Sequence, residues 1–158
     1  MEFWQNIYSN FDPIAFNLGP IAVHWYGLMY ALALLSAIFV AKWFIKNDKL
    51  TISNDLFDSY IWWAEIGVIL GARLGYVLFY DTHTMYYLTH PWQIFNPYIN
   101  GVYAGISGMS YHGAFFGFII ASYLFCKRNK ISFWFITDIA VLGISAAYVF
   151  GRIGNFFN

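Results

Sequence analysis

Four stretches of this chain, residues 21–44, 56–80, 109–126 and 133–150, are mostly apolar over close to the length that a bilayer-crossing helix needs. That length is about 20 residues at the rise of an α-helix. With four such stretches in 158 residues, little remains from which to build a water-facing surface. Only 10% of the residues are charged, against about a quarter in a soluble domain, while 60% are apolar and 23% aromatic. The expectation is an all-α, polytopic transmembrane helix bundle of about four spans. It would form a single transmembrane domain over residues 1–158, with no internal repeat. A net charge of zero argues against nucleic acid as a partner. The single cysteine, Cys126, excludes an intrachain disulfide and the multi-thiolate kind of metal site, and is expected to pack.

The basic residues orient these spans. Lys42, Lys46 and Lys49 follow the first stretch, and Lys127, Arg128 and Lys130 follow the third. Basic loops stay in the cytoplasm, so the N-terminus, the loop 81–107 and the end of the fourth stretch are expected on the outer, periplasmic side. The N-terminal residues lack the basic region of a cleavable signal peptide. Phe3, Trp4, Ile7 and Phe11 recur at roughly helical spacing before Asp12-Pro13 breaks the pattern, which predicts a short interfacial helix or, failing that, an aromatic tail. Ser53 or Asn54 is placed to cap the second helix. The loop 81–107, with Pro91, Pro97, Gly101, Gly105, His83, His90 and several tyrosines, is too polar to span and suits the membrane interface. Gly67, Gly71 and Gly75, then Gly113 and Gly117, then Gly143, Ala147 and Gly151 form small-residue ribs expected to let helices approach closely.

Within the spans, ionisable residues call for an explanation, because an arginine at a helix centre costs roughly 2.5–3.5 kcal/mol on insertion scales. They are Glu65, Arg73, Asp138 and Arg152, with His24 and His112 at helix starts. The topology puts His24, Tyr26, His112, Arg73 and Arg152 toward the outer side, and Glu65 and Asp138 toward the cytoplasm, where they suit structural ties between helices. Plainer roles exist for several of them. His112 would otherwise bond backbone at a helix entry, Arg152 would snorkel to headgroups, and His24 would anchor the interface beside Trp25. Arginine recognises phosphate bidentately, and an imidazole beside it accepts a proton from an incoming nucleophile. A lipid-consuming transferase or hydrolase follows as a hypothesis. A transporter fragment is the rival class, but it predicts a repeat that this sequence does not show.

Four segments narrow the choice. HWYGLMY at 24–30, GARLGYVLFY at 71–80, GMSYHGAFFG at 108–117 and GRIGNFFN at 151–158 resemble the phosphatidylglycerol–prolipoprotein diacylglyceryl transferases in order and spacing. The resemblance implies a multi-pass enzyme of the bacterial inner membrane, with its active site toward the periplasm and no metal or organic cofactor. Its partners would be membrane lipids: phosphatidylglycerol as donor, with the lipobox cysteine in a preprolipoprotein signal peptide as acceptor. Residue by residue, it makes His112 the base and Arg152 the group that holds the leaving phosphate. Tyr26, Arg73 and Asn155 would bind the headgroup, and Gly154 would be a close-approach position. Family members usually have a second glycine where this chain has Ala114. Their signature runs on beyond residue 158, into further spans and another arginine, so the chain is expected to be the N-terminal portion of a longer enzyme. A non-catalytic remnant or partner subunit would share every one of these motifs.

Overall fold

The computed structural model describes residues 11–19, 21–99, 102–103 and 108–157. In chain order the elements are β1 (Ile14–Leu18), β2 (Ile21–His24), α1 (Trp25–Asn47), α2 (Asn54–Phe79) and α3 (Thr84–Thr89). A 3-10 turn (Pro91–Phe95), β3 (Tyr98–Ile99), β4 (Val102–Tyr103), α4 (Tyr111–Asn129) and α5 (Phe133–Phe156) follow. The four long helices lie where the apolar stretches predict them, and the fold is that of an all-α polytopic membrane protein. Among the described residues, α1, α2 and α5 are long and apolar enough to cross a membrane. α4 is shorter, at 19 residues, and carries His112, Ser122, Lys127 and Arg128. Large apolar side chains point outward along the helices, with Phe39 71% and Trp62 69% exposed. That is the arrangement expected where the solvent is lipid and burial brings no hydrophobic gain. The interfacial helix expected over the first residues lies outside the described residues, apart from Phe11.

Two compact units make up the chain, Met1–Ile52 with Trp134–Asn158, and Ser53–Phe133. In the first, residues 21–24 depart from the expected helix. They form β2, paired antiparallel with β1 from Leu18↔Ile21 to Ile14↔His24. The β-branched Ile21 and Val23 favour the extended chain, and Gly19 makes the turn at φ +60°, a conformation costly for any residue with a Cβ. Asp12 starts the hairpin by accepting the Ile14 amide at 2.8 Å. The Trp25 amide then donates to the Pro13 carbonyl at 3.0 Å as α1 begins. α1 and α5 meet at Gly143, where an added Cβ would stand 2.7 Å from the Ala37 carbonyl oxygen. Gly151, expected in the same rib, has nothing among the described residues within 4 Å of that position.

In the second unit, α2 starts at Ser53, whose hydroxyl accepts the Leu56 amide, as its polar side chain ahead of the apolar run predicts. α4 lies against α2 along the predicted glycine ribs. An added Cβ on Gly71 would stand 2.7 Å from the Gly117 Cα, and one on Gly75 would be as close to the Gly113 Cα. Ala114 lies one residue round from this seam, which leaves Gly113 as the glycine in contact. The buried Tyr60 and Ser122 hydroxyls join at 3.0 Å, a polar tie between the same two helices. Tyr60, Phe125 and Trp63 pack around that tie, and the buried Cys126 sits beside it. α4 ends at Lys130 in the left-handed region, with Lys127 and Arg128 in the last turn, where cations offset the helix dipole.

Candidate active site

His112 owes its position to the entry of α4. Ser110 caps the helix, its hydroxyl accepting the Gly113 amide at 3.1 Å, while its own amide donates to the Ala72 carbonyl of α2 at 2.9 Å. The bend before it needs Gly108, at φ +77°, which lies directly on the Tyr76 ring. His112 follows in the first turn, exposed, with Nδ1 3.2 Å from the Tyr80 hydroxyl at the end of α2. An apolar groove of about 1110 Å³ runs along the α2–α4 pair from Trp63 and Leu124 at one end to Tyr80 and His112 at the other. Its walls are leucines, phenylalanines and the glycine seam, so its polar groups gather at the His112 end.

Arg73 is buried, yet it does not line the groove. Its Nε donates to the Ile94 carbonyl and its Nη1 to the Gly108 carbonyl, the latter at 3.2 Å. The guanidinium also lies 5.6 Å from the centres of both the Tyr76 and Tyr87 rings. It therefore pins two separate parts of the long connection between α2 and α4 to one point on α2. Lysine keeps the charge but lacks the planar fork that serves two carbonyls at once. A hydrogen bond to a charged group contributes about 1.5–3 kcal/mol, so Arg73→Lys is expected to speed limited proteolysis of residues 82–99 by roughly 10-fold to 100-fold. An unchanged cleavage rate would show that the connection is held by other contacts.

In the first unit, Arg152 lies exposed on the last turns of α5, and its Nε donates to the Tyr148 hydroxyl one turn back at 2.7 Å. Asn155 is exposed three residues further on, as helical spacing predicts. Gly154 is buried against α1: an added Cβ would stand 3.0 Å from the Met29 Cβ and 3.4 Å from the Tyr26 ring. Tyr26 is half exposed beside it, and Trp25 packs on Phe157 at 5.6 Å between ring centres.

The four sequence segments thus meet in two pairs. Residues 24–30 touch 151–157 in one unit, and residues 71–80 touch 108–117 in the other. Tyr26 and Gly154 come together, with Arg152 and Asn155 flanking Gly154 on the same helix end. Arg73 and His112 share the second unit but face different neighbours. Sequence reasoning gave no role to Tyr80, Tyr148 or Ser110. Tyr148 was accessible from its spacing of four before Arg152, and Ser110 from its place ahead of a helix. Nothing local in the sequence marks Tyr80 as a partner of His112, 32 residues away.

Residues 13–158 match the family model for prolipoprotein diacylglyceryl transferase. Over all 158 residues the chain is 90% identical to the phosphatidylglycerol–prolipoprotein diacylglyceryl transferase of Aliarcobacter butzleri, of which it covers 58%. It is 62% identical to the protein of that name from Campylobacter jejuni serotype O:23/36, again covering 58%, and 56% identical to that of Campylobacter hominis, covering 57%. The chain therefore spans little more than half the length of these relatives. With a match over nearly its whole length, the chain belongs to the prolipoprotein diacylglyceryl transferase family.

Proposed function

We propose that this chain supplies half of the active site of a phosphatidylglycerol–prolipoprotein diacylglyceryl transferase in the bacterial inner membrane, with the site facing the periplasm. The observation that carries this reading is His112 at the polar end of an otherwise apolar groove. A phospholipid needs that combination, an apolar channel for its chains and reactive polar groups at the headgroup. The placement of Lys42, Lys46, Lys49, Lys127, Arg128 and Lys130 supports the orientation, since basic ends stay in the cytoplasm.

The chemistry follows from the residue types. A cysteine thiol has a reference pKa near 8.5, so an imidazole within reach raises the fraction of attacking thiolate. His112 accepts the proton from the lipobox thiol as its sulfur attacks the terminal glycerol carbon of the diacylglycerol moiety. A C–S thioether bond forms, the C–O bond to phosphate breaks, and the electron pair leaves with glycerol 1-phosphate. Arg152 faces the phosphate and stabilises its growing charge, an electrostatic contribution that needs no rearrangement during the step. Asn155 donates to the headgroup, and Tyr26 bounds its pocket beside Gly154. Arg73 serves headgroup binding by holding the connection between α2 and α4 that leads into the turn carrying His112.

Complementation in cells depleted of their own transferase tests this. The chain is compared with the same chain continued by the C-terminal remainder of its Aliarcobacter butzleri relative, and a reporter prolipoprotein is scored for the diacylglyceryl group. The extended form is expected to restore modification and the chain alone to fail. Failure of both, with both inserted, would sink the transferase reading. Success of the chain alone would show that its own residues complete the site.

A further inference from the structure

We propose that Tyr80 is a positioning residue for His112, accepting the Nδ1–H of the imidazole so that Nε2 is the nitrogen left to take the thiol proton. The proposal rests on the transferase reading above and extends it to a residue outside the predicted site. Its basis is the 3.2 Å contact between the Tyr80 hydroxyl and His112 Nδ1. An imidazole presents its two nitrogens on opposite edges, and the hydrogen bond at one fixes which of them carries the proton. With Nδ1 committed to Tyr80, Nε2 is the nitrogen turned away from it. If Tyr80 donated instead, Nε2 would carry the hydrogen and His112 would have no basic nitrogen to offer.

Tyr80 is itself held. Its ring stacks on Tyr76, with centroids 6.5 Å apart and planes 9° from parallel. Tyr76 in turn lies under the Arg73 guanidinium and against Gly108, the residue that starts the turn into α4. Arg73, Tyr76 and Tyr80 thus form one supported row that ends at the imidazole, and its supports reach the same turn that carries His112. Among the described residues, the titratable groups in contact with His112 are Tyr80 from α2 and Tyr111 on its own helix, whose ring lies 5.9 Å away. Asp81, the next residue after Tyr80, is turned toward His83, whose amide it accepts at 2.7 Å. Among the described residues, Tyr80 is thus the hydrogen-bond partner of the His112 ring.

Tyr80→Phe removes the hydroxyl and keeps the stack on Tyr76, so it separates positioning from folding. In the extended chain, kcat is expected to fall on the order of tenfold, the cost typical of losing the group that orients a functional histidine. The KM for phosphatidylglycerol is expected to stay unchanged. An unchanged kcat or a change confined to KM would each overturn the proposal.

A second measurement does not depend on turnover. The protein is labelled with 15N-histidine, its four histidines being few enough to resolve, and His112→Gln identifies the relevant signals. The ring nitrogen shifts of His112 are expected to report the Nδ1–H tautomer, with Tyr80→Phe shifting it toward the Nε2–H form. An Nε2–H tautomer in the unsubstituted protein would overturn the proposal. Were the transferase activity itself absent, the function proposed above would fail, while this spectrum would still decide whether Tyr80 orients His112.

Discussion

Gly71→Val will break the packing of α2 on α4. The first atom of the new side chain would stand 2.7 Å from the Gly117 Cα and 3.0 Å from its amide nitrogen, and closer still to the Gly113 carbonyl oxygen. Overpacking ordinarily costs about 1–3 kcal/mol, because neighbouring side chains change rotamer to relieve it. Here the obstruction is backbone on both helices, so the helices themselves must separate, and the cost is expected at or above about 3 kcal/mol. Separation also weakens the Tyr60–Ser122 tie and the bond from the Ser110 amide to Ala72, on which the entry to His112 depends. Gly151→Val is the contrasting substitution, since nothing among the described residues lies within 4 Å of the added Cβ. Unfolding in mixed micelles, followed by tertiary circular dichroism, is expected to show a large loss for Gly71→Val and little change for Gly151→Val. Equal effects at the two positions would mean that the seam does not hold α2 to α4.

The membrane character and the four helices were legible because each rests on a local property: apolar length, sparse charge, and a polar cap such as Ser53. The glycine seam was legible for a similar reason. Spacing of four residues puts Gly67, Gly71 and Gly75 on one face, and in lipid small residues are what bring backbones together. The same spacing misled at Gly151: steps of four overshoot the helical turn of about 3.6 residues, so the rib rotates off the α1-facing side to which Gly143 and, eleven residues on, Gly154 belong. Residues 21–24 were read as helix since an apolar run at a span's edge does not reveal its period. Their strand form depends on pairing with Ile14–Leu18 across a glycine turn. The site was legible in its residues and less so in its contacts. Arg73 stood out as a charge within a span, yet its partners are carbonyls 21 and 35 residues away, contacts that follow from the fold of the long connection. Tyr80 escaped notice because a tyrosine at a helix end is unremarkable among 13 tyrosines until its neighbour is known.

His112→Gln and Arg152→Gln are expected to abolish transfer in the extended chain while leaving membrane insertion intact. Both residues are exposed, and among the described residues their side-chain hydrogen bonds are to Tyr80 and Tyr148, themselves exposed, so neither substitution leaves a buried polar group without a partner. Loss of a positioned general base typically lowers the rate by about 10²–10⁴-fold. Loss of a preorganised group facing developing charge costs about 10²–10³-fold. Arg152→Lys should fall between Arg152→Gln and the native residue, since an ammonium keeps the charge but not the paired donors that match a phosphate. A radiolabelled-lipid transfer assay on membranes normalised for the amount of inserted protein checks all three. Native rates in either glutamine variant would remove that residue from the mechanism. A variant that failed to insert would show the residue to be structural after all, contrary to its exposure. The ordering at Arg152 bears hardest on the chemistry: a bound phosphate needs the fork, whereas a residue that merely snorkels to headgroups would be served as well by lysine.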